Sequence, residues 1–222
     1  MSRPLLEVIA LGPADARRAA EGGADRIELV SDMDSSGLSP DPATVEAVRA
    51  AVDIPVRVML RDRDGFAPHD LTALRSVAKT LRGAGATEFV LGFLSPGGGV
   101  DLPAVCELLD VLDGAPWTFH RAIDHAADRV AAWSTLRGLP GLDCVLTAGA
   151  PSGVGDGLDV LASEAAAGVP VLAGGGLRPA HVAPLRAAGV TAFHTGGAVR
   201  PDGRWDLPVE PGLVAEWRAT LA

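Results

Sequence analysis

The residues best suited to chemistry fall at the ends of short apolar runs. In Trp117–Asp124, which reads Trp-Thr-Phe-His-Arg-Ala-Ile-Asp, a β-forming run turns polar abruptly at His120, Arg121 and Asp124. An imidazole moves protons near neutral pH, a guanidinium holds an anion, and a carboxylate acts as a base. Asp124 also suits the N-cap of a following helix, a purely structural use. Further charges interrupt other apolar runs: Glu7 in Leu-Leu-Glu-Val-Ile, Glu28 in Arg-Ile-Glu-Leu-Val, Arg57 and Arg61 on either side of Met59, and His194 in Ala-Phe-His-Thr. A charge in a strand buried on both faces is costly unless it is paired or wet.

Strand side chains alternate between faces, so Glu7, Glu28, Arg57, Met59, Arg61, His120 and His194 are expected to form one inward set. Such a set is either a self-neutralising ion network or a site. Arg57, early in its strand, is assigned to a network. Glu7, Glu28, Arg61, His120, Arg121, Asp124 and His194, nearer the strand ends, are assigned to a site, with Glu28, Arg61, His120 and His194 converging on one pocket. Two glycine runs, Gly174-Gly175-Gly176 and Gly196-Gly197, follow the last two strand-like segments. Glycine there lets backbone amides approach an anion, and it also serves simple turn geometry.

The elements that must position these residues alternate along the whole chain. Strands are expected at Leu5–Ala10, Asp25–Val30, Pro55–Leu60, Glu88–Phe93, Trp117–Arg121, Leu142–Thr147, Pro170–Ala173 and Thr191–Thr195. Helices are expected at Pro13–Glu21, Ala43–Val52, Asp70–Leu81, Pro103–Leu112, Ala126–Leu136, Leu158–Ala167, Pro179–Ala188 and Pro211–Leu221. Three helix-to-strand corners echo one another: Glu21-Gly-Gly-Ala-Asp, Gly83-Ala-Gly-Ala-Thr and Ala187-Ala-Gly-Val-Thr. Eight units of about 27 residues without a linker predict an α/β protein with one (β/α)8 TIM barrel over residues 1–222 and its active face at the C-terminal strand ends.

Composition narrows the chemistry. The net charge of −9 argues against nucleic acid as a partner. No apolar run approaches the roughly 20 residues of a membrane span, and Met1–Pro4 leads directly into a strand rather than a signal peptide. Lys79 is the only lysine and falls in a helix, which excludes a strand-borne Schiff base. There is no GxSxG or HExxH. Gly97-Gly98-Gly99 and Gly153-Val-Gly155-Asp-Gly157 are read as lying outside the strand-then-helix context of a dinucleotide fingerprint. Cys106 and Cys144 form no CxxC, which suits reduced thiols in a cytoplasm. The residues alone favour acid–base chemistry by His120 and Glu28 on a small anionic metabolite, phosphorylated metabolites included, with Arg61 stabilising charge.

The chain resembles the CutC family, named for copper homeostasis. The resemblance covers nearly its full length and rests on Leu6-Glu7-Val8, Gly22–Leu29 (Gly-Gly-Ala-Asp-Arg-Ile-Glu-Leu), Gly37-Leu-Ser-Pro40, Val56–Arg63, Thr118–Asp124, Leu146-Thr-Ala-Gly149, Gly174-Gly-Gly176 and Phe193-His194. It implies a TIM barrel, a cytoplasmic location, a homodimer and a role in copper binding or trafficking. Its polar motif positions fall here on Glu7, Glu28, Arg61, His120, Arg121, Asp124 and His194. Val30 stands where the family usually has cysteine, Asp62 where it has proline, and Thr195-Gly196-Gly197 replaces a Ser/Ala-like ending. Copper(I) prefers thiolate and thioether ligands. The soft inventory is Cys106, Cys144, Met1, Met33 and Met59, with no spacing that gathers two, so any copper binding is expected to be weak and the metal ligands are left unassigned.

Overall fold

Burying β-branched and leucine runs on both faces requires a sheet covered all round, and a closed barrel provides it. In the computed structural model, which describes residues 3–222, the strands are β1 (Leu5–Ala10), β2 (Arg26–Leu29), β3 (Val56–Met59), β4 (Glu88–Leu91), β5 (Trp117–Phe119), β6 (Leu142–Thr147), β7 (Val171–Ala173) and β8 (Ala192–Thr195). They are parallel, pair in sequence order, and close by β8 on β1. Around them lie α1 (Pro13–Glu21), α2 (Pro42–Arg49), α3 (Leu71–Gly83), α4 (Leu102–Leu112), α5 (Arg129–Leu136), α6 (Val154–Ala166), α7 (Pro179–Ala187) and α8 (Pro211–Thr220). Met1, counted above as a soft ligand, lies outside the described residues. No described helix is long and apolar enough to cross a membrane.

The helix starts follow from capping chemistry. Asp41, Asp70, Asp101 and Asp128 accept the backbone N–H of Thr44, Ala73, Ala104 and Ala131, and Pro13, Pro42, Pro103, Pro179 and Pro211 occupy first or second helical positions. The echoed corners are one motif. Ala24, Ala86, Val169 and Val190 each donate a backbone N–H to the carbonyl five residues back, at 3.0–3.1 Å. The glycines before them (Gly23, Gly85, Gly168 and Gly189) sit at positive φ, so the chain reverses from helix to strand within a residue or two.

Outward-facing strand residues such as Val8, Leu29, Val58, Phe119 and Phe193 pack with the helices into the main core. Trp133 and Trp217 are buried in that core, 6% and 5% exposed, so neither is available to an interface. Inside the barrel, Ile9, Val30, Met59 and Val90 form an apolar layer toward the mouth. Cys144, Leu146 and Leu172 form another patch.

Two expectations about elements need correction. Asp124 is not the N-cap of the helix after β5. Residues Arg121–His125 form a 3-10 turn, and α5 begins later, capped by Asp128. Helix α6 begins at Val154 instead of Leu158, so the Gly153–Gly157 run does follow a strand and open a helix. Glycine there serves packing: a Cβ on Gly157 would overlap the Ala148 carbonyl oxygen. Alanine normally favours a helix interior over glycine by about 1 kcal/mol. Gly157→Ala is nevertheless expected to destabilise the protein by about 2 kcal/mol or more through overpacking. Gly212→Ala on α8, with nothing within 4 Å of the added carbon, is expected to be neutral or stabilising. Denaturant unfolding of the two variants checks the contrast, and equal effects would contradict it.

Candidate functional site

The site begins with a buried carboxylate. Glu7 on β1 is level with Arg26 on β2 and with His194 on β8. Arg26 donates Nε–H to Glu7 Oε2 at 2.5 Å, and His194 Nδ1 lies 2.8 Å from Glu7 Oε1. Burial alone would raise the Glu7 pKa, but Arg26 and His194 reverse this and hold it at about 2. Glu7 is therefore an anion, and His194 donates Nδ1–H to it. The other imidazole nitrogen, Nε2, faces Glu28 Oε2 at 3.6 Å, beyond hydrogen-bond length but close enough for the charges to couple.

Burial raises the Glu28 pKa to about 7, His194 opposing and Glu7 assisting. Burial would lower that of His194, but Glu28 and Glu7 raise it. The two groups share a proton near neutral pH.

His120 follows the end of β5. Its Nδ1 accepts the backbone N–H of Ala122 at 3.1 Å. Burial, assisted by the nearby Arg61 guanidinium, lowers its pKa to about 3. The ring is neutral, its proton is on Nε2, and it is a hydrogen-bond donor to the cavity rather than a base. That corrects the expectation of His120 as an acid–base group. Gly92, just past the end of β4, makes room for it, since a Cβ there would lie 2.7 Å from His120 Nδ1. Among the described residues, the buried polar side-chain atoms without a partner are Glu28 Oε1, His120 Nε2 and Arg200 Nε.

Arg61, 6% exposed, ties two loops over the mouth. It donates to the Ser36 carbonyl at 2.8 Å, to the Gly65 carbonyl at 2.9 Å and to Asp64 at 3.2 Å. Ser39, from the Gly37–Pro40 motif, holds the Arg61 backbone through Oγ at 2.9 Å. Asp62 accepts the backbone N–H of His69 and Asp70, each at 2.9 Å, closing the same loop. Arg121 donates Nε–H to Asp124 at 2.8 Å and one terminal nitrogen to the carbonyls of Ala150 and Pro151. Its other terminal nitrogen has no hydrogen-bond partner among the described residues.

A cavity of about 740 Å³ opens at the C-terminal end of the barrel. Glu28, Arg61, His120, Arg121, His194, Gly175, Gly176, Gly196 and Gly197 line it. Three sequence candidates do not. Glu7 lies beneath His194. Asp124 is buried and receives Arg121, Arg129, Thr147 and the backbone N–H of Ala148 and Gly149. Gly174 makes room for His194, where a Cβ would come within 2.9 Å of the His194 Cβ. Gly175 likewise lies under the Arg121 guanidinium, 2.7 Å from a would-be Cβ. Arg57 lies away from the cavity, bonded to Glu88, Thr118 and Asp143, as a network residue should be.

Sequence reasoning missed Arg26, Phe66, His125 and Trp205. Arg26 was legible, because it is two residues from Glu28 and so on the same face. Phe66, which stacks on His125 at 4.6 Å, and Trp205 come from loops without a periodic signal.

The donor set does not fit a resident copper ion. Among the described residues no group of three or more His, Cys, Asp or Glu side chains is placed to hold a metal. Cys106 is exposed on α4. Cys144 is buried against Arg26, Arg57 and Thr118, and burial raises its thiol pKa to about 11. Met33 and Met59 line the cavity, while Val30 is buried in the apolar cluster with Ile9, Met59 and Val90.

The sequence model of the CutC family matches residues 5–199. A Klebsiella pneumoniae protein named as CutC family protein is 34% identical over 206 residues, covering 90% of this chain and 81% of that protein. A human protein named copper homeostasis protein cutC homolog is 34% identical over 197 residues, covering 86% and 72%. The crystal structure of a CutC protein from Streptococcus agalactiae superposes with a TM-score of 0.78 at 23% identity, covering 87% of this chain and 98% of that one, a likeness of fold.

Two measurements test the electrostatics. Imidazole nitrogen NMR is expected to find His120 neutral, with its proton on Nε2, between about pH 5 and pH 8; an imidazolium in that range would contradict the assignment. Glu28 titrates at about 7 in the folded protein against 4.5 for the free side chain. The folded state therefore binds the extra proton between these values, and this contribution falls as pH rises through them. Glu28→Gln removes that slope, so the variant is expected to gain stability relative to the parent between about pH 5 and about pH 7. Denaturant unfolding at the two pH values reads the difference, and a relative loss would refute the shift.

Proposed function

The chain belongs to the CutC family, and on that footing we propose that it serves copper homeostasis by binding a small anion at the barrel mouth, without caging the metal. The observation that carries this reading is the pairing of family membership with a cavity that offers guanidinium and imidazole N–H donors but no thiolate. Arg121 has a free nitrogen at the rim, His120 presents Nε2–H below it, and the Ile9, Met59, Leu146 and Trp205 side chains exclude water. A few polar groups in an otherwise apolar cavity orient a small ligand. Copper, on this reading, is handled in company with such a ligand. The cytoplasmic location and the homodimer implied by the resemblance belong to the same proposal. Light scattering that finds only a monomer at micromolar concentration would remove the dimer from it.

A second reading is favoured by one specific observation. Glu28 titrates near neutral pH beside His194, which suits an enzyme moving protons on the bound anion.

In a strain lacking the gene, the wild-type chain and a Cys106→Ser/Cys144→Ser variant are both expected to restore copper tolerance fully. Arg121→Ala is expected to restore it poorly. Copper(I) titration under reducing conditions should show no tight stoichiometric binding. Tight binding lost in Cys144→Ser would overturn the anion reading. If the second reading holds, Glu28→Gln also fails to restore tolerance, and full rescue by that variant would dismiss it.

A further inference from the structure

We infer that the mouth is a site for proton transfer at a carbon next to a carbonyl group, with Glu28 as base and the Nε2–H of His120 as donor to the carbonyl oxygen; this rests on the acid–base reading above and gives it a substrate class. Two of the buried atoms without a partner lie in this one cavity, and they are chemical opposites: an acceptor, Glu28 Oε1, and a donor, His120 Nε2. Their side chains are 3% and 5% exposed. A buried polar atom left unpaired is costly, so the site is built for a ligand that supplies a donor to one wall and an acceptor to the other. Strands β2 and β5 are three apart in a closed barrel of eight, which brings these groups in from opposing walls.

A carbonyl compound with an acidic C–H meets both demands at once. Its oxygen accepts from His120 while the neighbouring C–H faces Glu28. The Glu28 carboxylate takes the proton, the C–H electron pair becomes the new C=C bond, and the carbonyl π pair moves onto oxygen. His120 keeps its proton and stabilises the oxyanion through the hydrogen bond, as a neutral imidazole fixed by an Nδ1 contact can. Glu28 then returns its proton to the same carbon, giving exchange; where that carbon carries a hydroxyl, the hydroxyl proton passes to the oxyanion and Glu28 protonates the former carbonyl carbon, giving isomerisation. The sequence is redox-neutral and needs no co-reactant. His194, 3.6 Å from Glu28 and oriented by Glu7, is the positioning residue that lets the Glu28 proton leave for solvent.

The alternatives for the same groups fail on the same geometry. His120 cannot be the base because its outward nitrogen is the protonated one. No lysine lines the cavity, so an iminium route has no amine. Arg121 has its free nitrogen at the rim and takes the acid tail, either phosphate or carboxylate. The ligand is thus a small hydroxy- or keto-compound carrying one such tail.

The purified full chain is titrated calorimetrically with two enediolate mimics, phosphoglycolohydroxamate and N-hydroxyoxamate. The parent carbonyl compounds, dihydroxyacetone phosphate and hydroxypyruvate, are followed by proton NMR in deuterated water. One mimic is expected to bind with micromolar affinity, which identifies the tail, and its parent should exchange the C–H. Arg121→Ala should weaken that mimic about tenfold or more. Glu28→Gln should abolish exchange while leaving circular dichroism unchanged, and His120→Ala should slow it by about 10²-fold or more. The inference is overturned if neither mimic binds, if a mimic binds but its parent does not exchange, or if exchange survives Glu28→Gln. Any of these results together with loss of copper tolerance in Glu28→Gln would leave the acid–base reading intact and remove only the carbon-acid assignment.

Discussion

A single buried carboxylate organises the interior. Glu7 is fully enclosed, and an isolated ion there would be prohibitively unstable. It persists because Arg26 and His194 approach from the strands on either side. That requirement fixes the His194 ring, and the fixed ring places Nε2 toward Glu28. Burial chiefly raises Glu28 toward neutrality, with the field of Glu7 adding and the His194 imidazole opposing, whereas at Glu7 the Arg26 and His194 charges outweigh burial. Two buried carboxylates on neighbouring strands thus acquire opposite characters from their surroundings.

The barrel separates its charges by depth. Away from the mouth, Arg57 closes the interior with Glu88, Asp143 and Thr118, a fully satisfied cluster. An apolar cluster of Ile9, Val30, Met59 and Val90 lies inside the barrel, and its Ile9 and Met59 line the cavity. Above it the mouth is only partly satisfied, as binding sites are. Asp124 supports that mouth from outside. Its five partners draw the 3-10 turn after β5 against the end of β6, so Arg121 projects over Gly175 into the opening.

Much of this was legible in the sequence because a parallel barrel follows two simple rules. Strand parity separates inward from outward residues, and all strand ends of one kind meet at one face. Glu28, Arg61, His120 and His194 could therefore be placed from spacing alone. What parity cannot report is the partner. Asp124 looked like a cap or a site carboxylate, yet it is an anchor between loops whose contacts lie 23–25 residues away. Arg61 looked free to hold an anion, yet loop carbonyls occupy most of its donors. The tautomer of His120 depends on one backbone N–H, which no side-chain pattern encodes. The start of α6 lies four residues before the expected Leu158, because the close approach of Gly157 to the Ala148 carbonyl is a tertiary contact that no periodicity encodes.

Every cation within the barrel is an arginine: Arg26, Arg57 and Arg61. A guanidinium does not release its proton under any physiological condition. The positive charge inside is therefore a constant, and so is the negative charge of Glu7. Only the Glu28–His194 pair can change, and it changes by one proton around neutral pH. An anion entering this mouth meets an interior whose sole adjustable quantity is that proton.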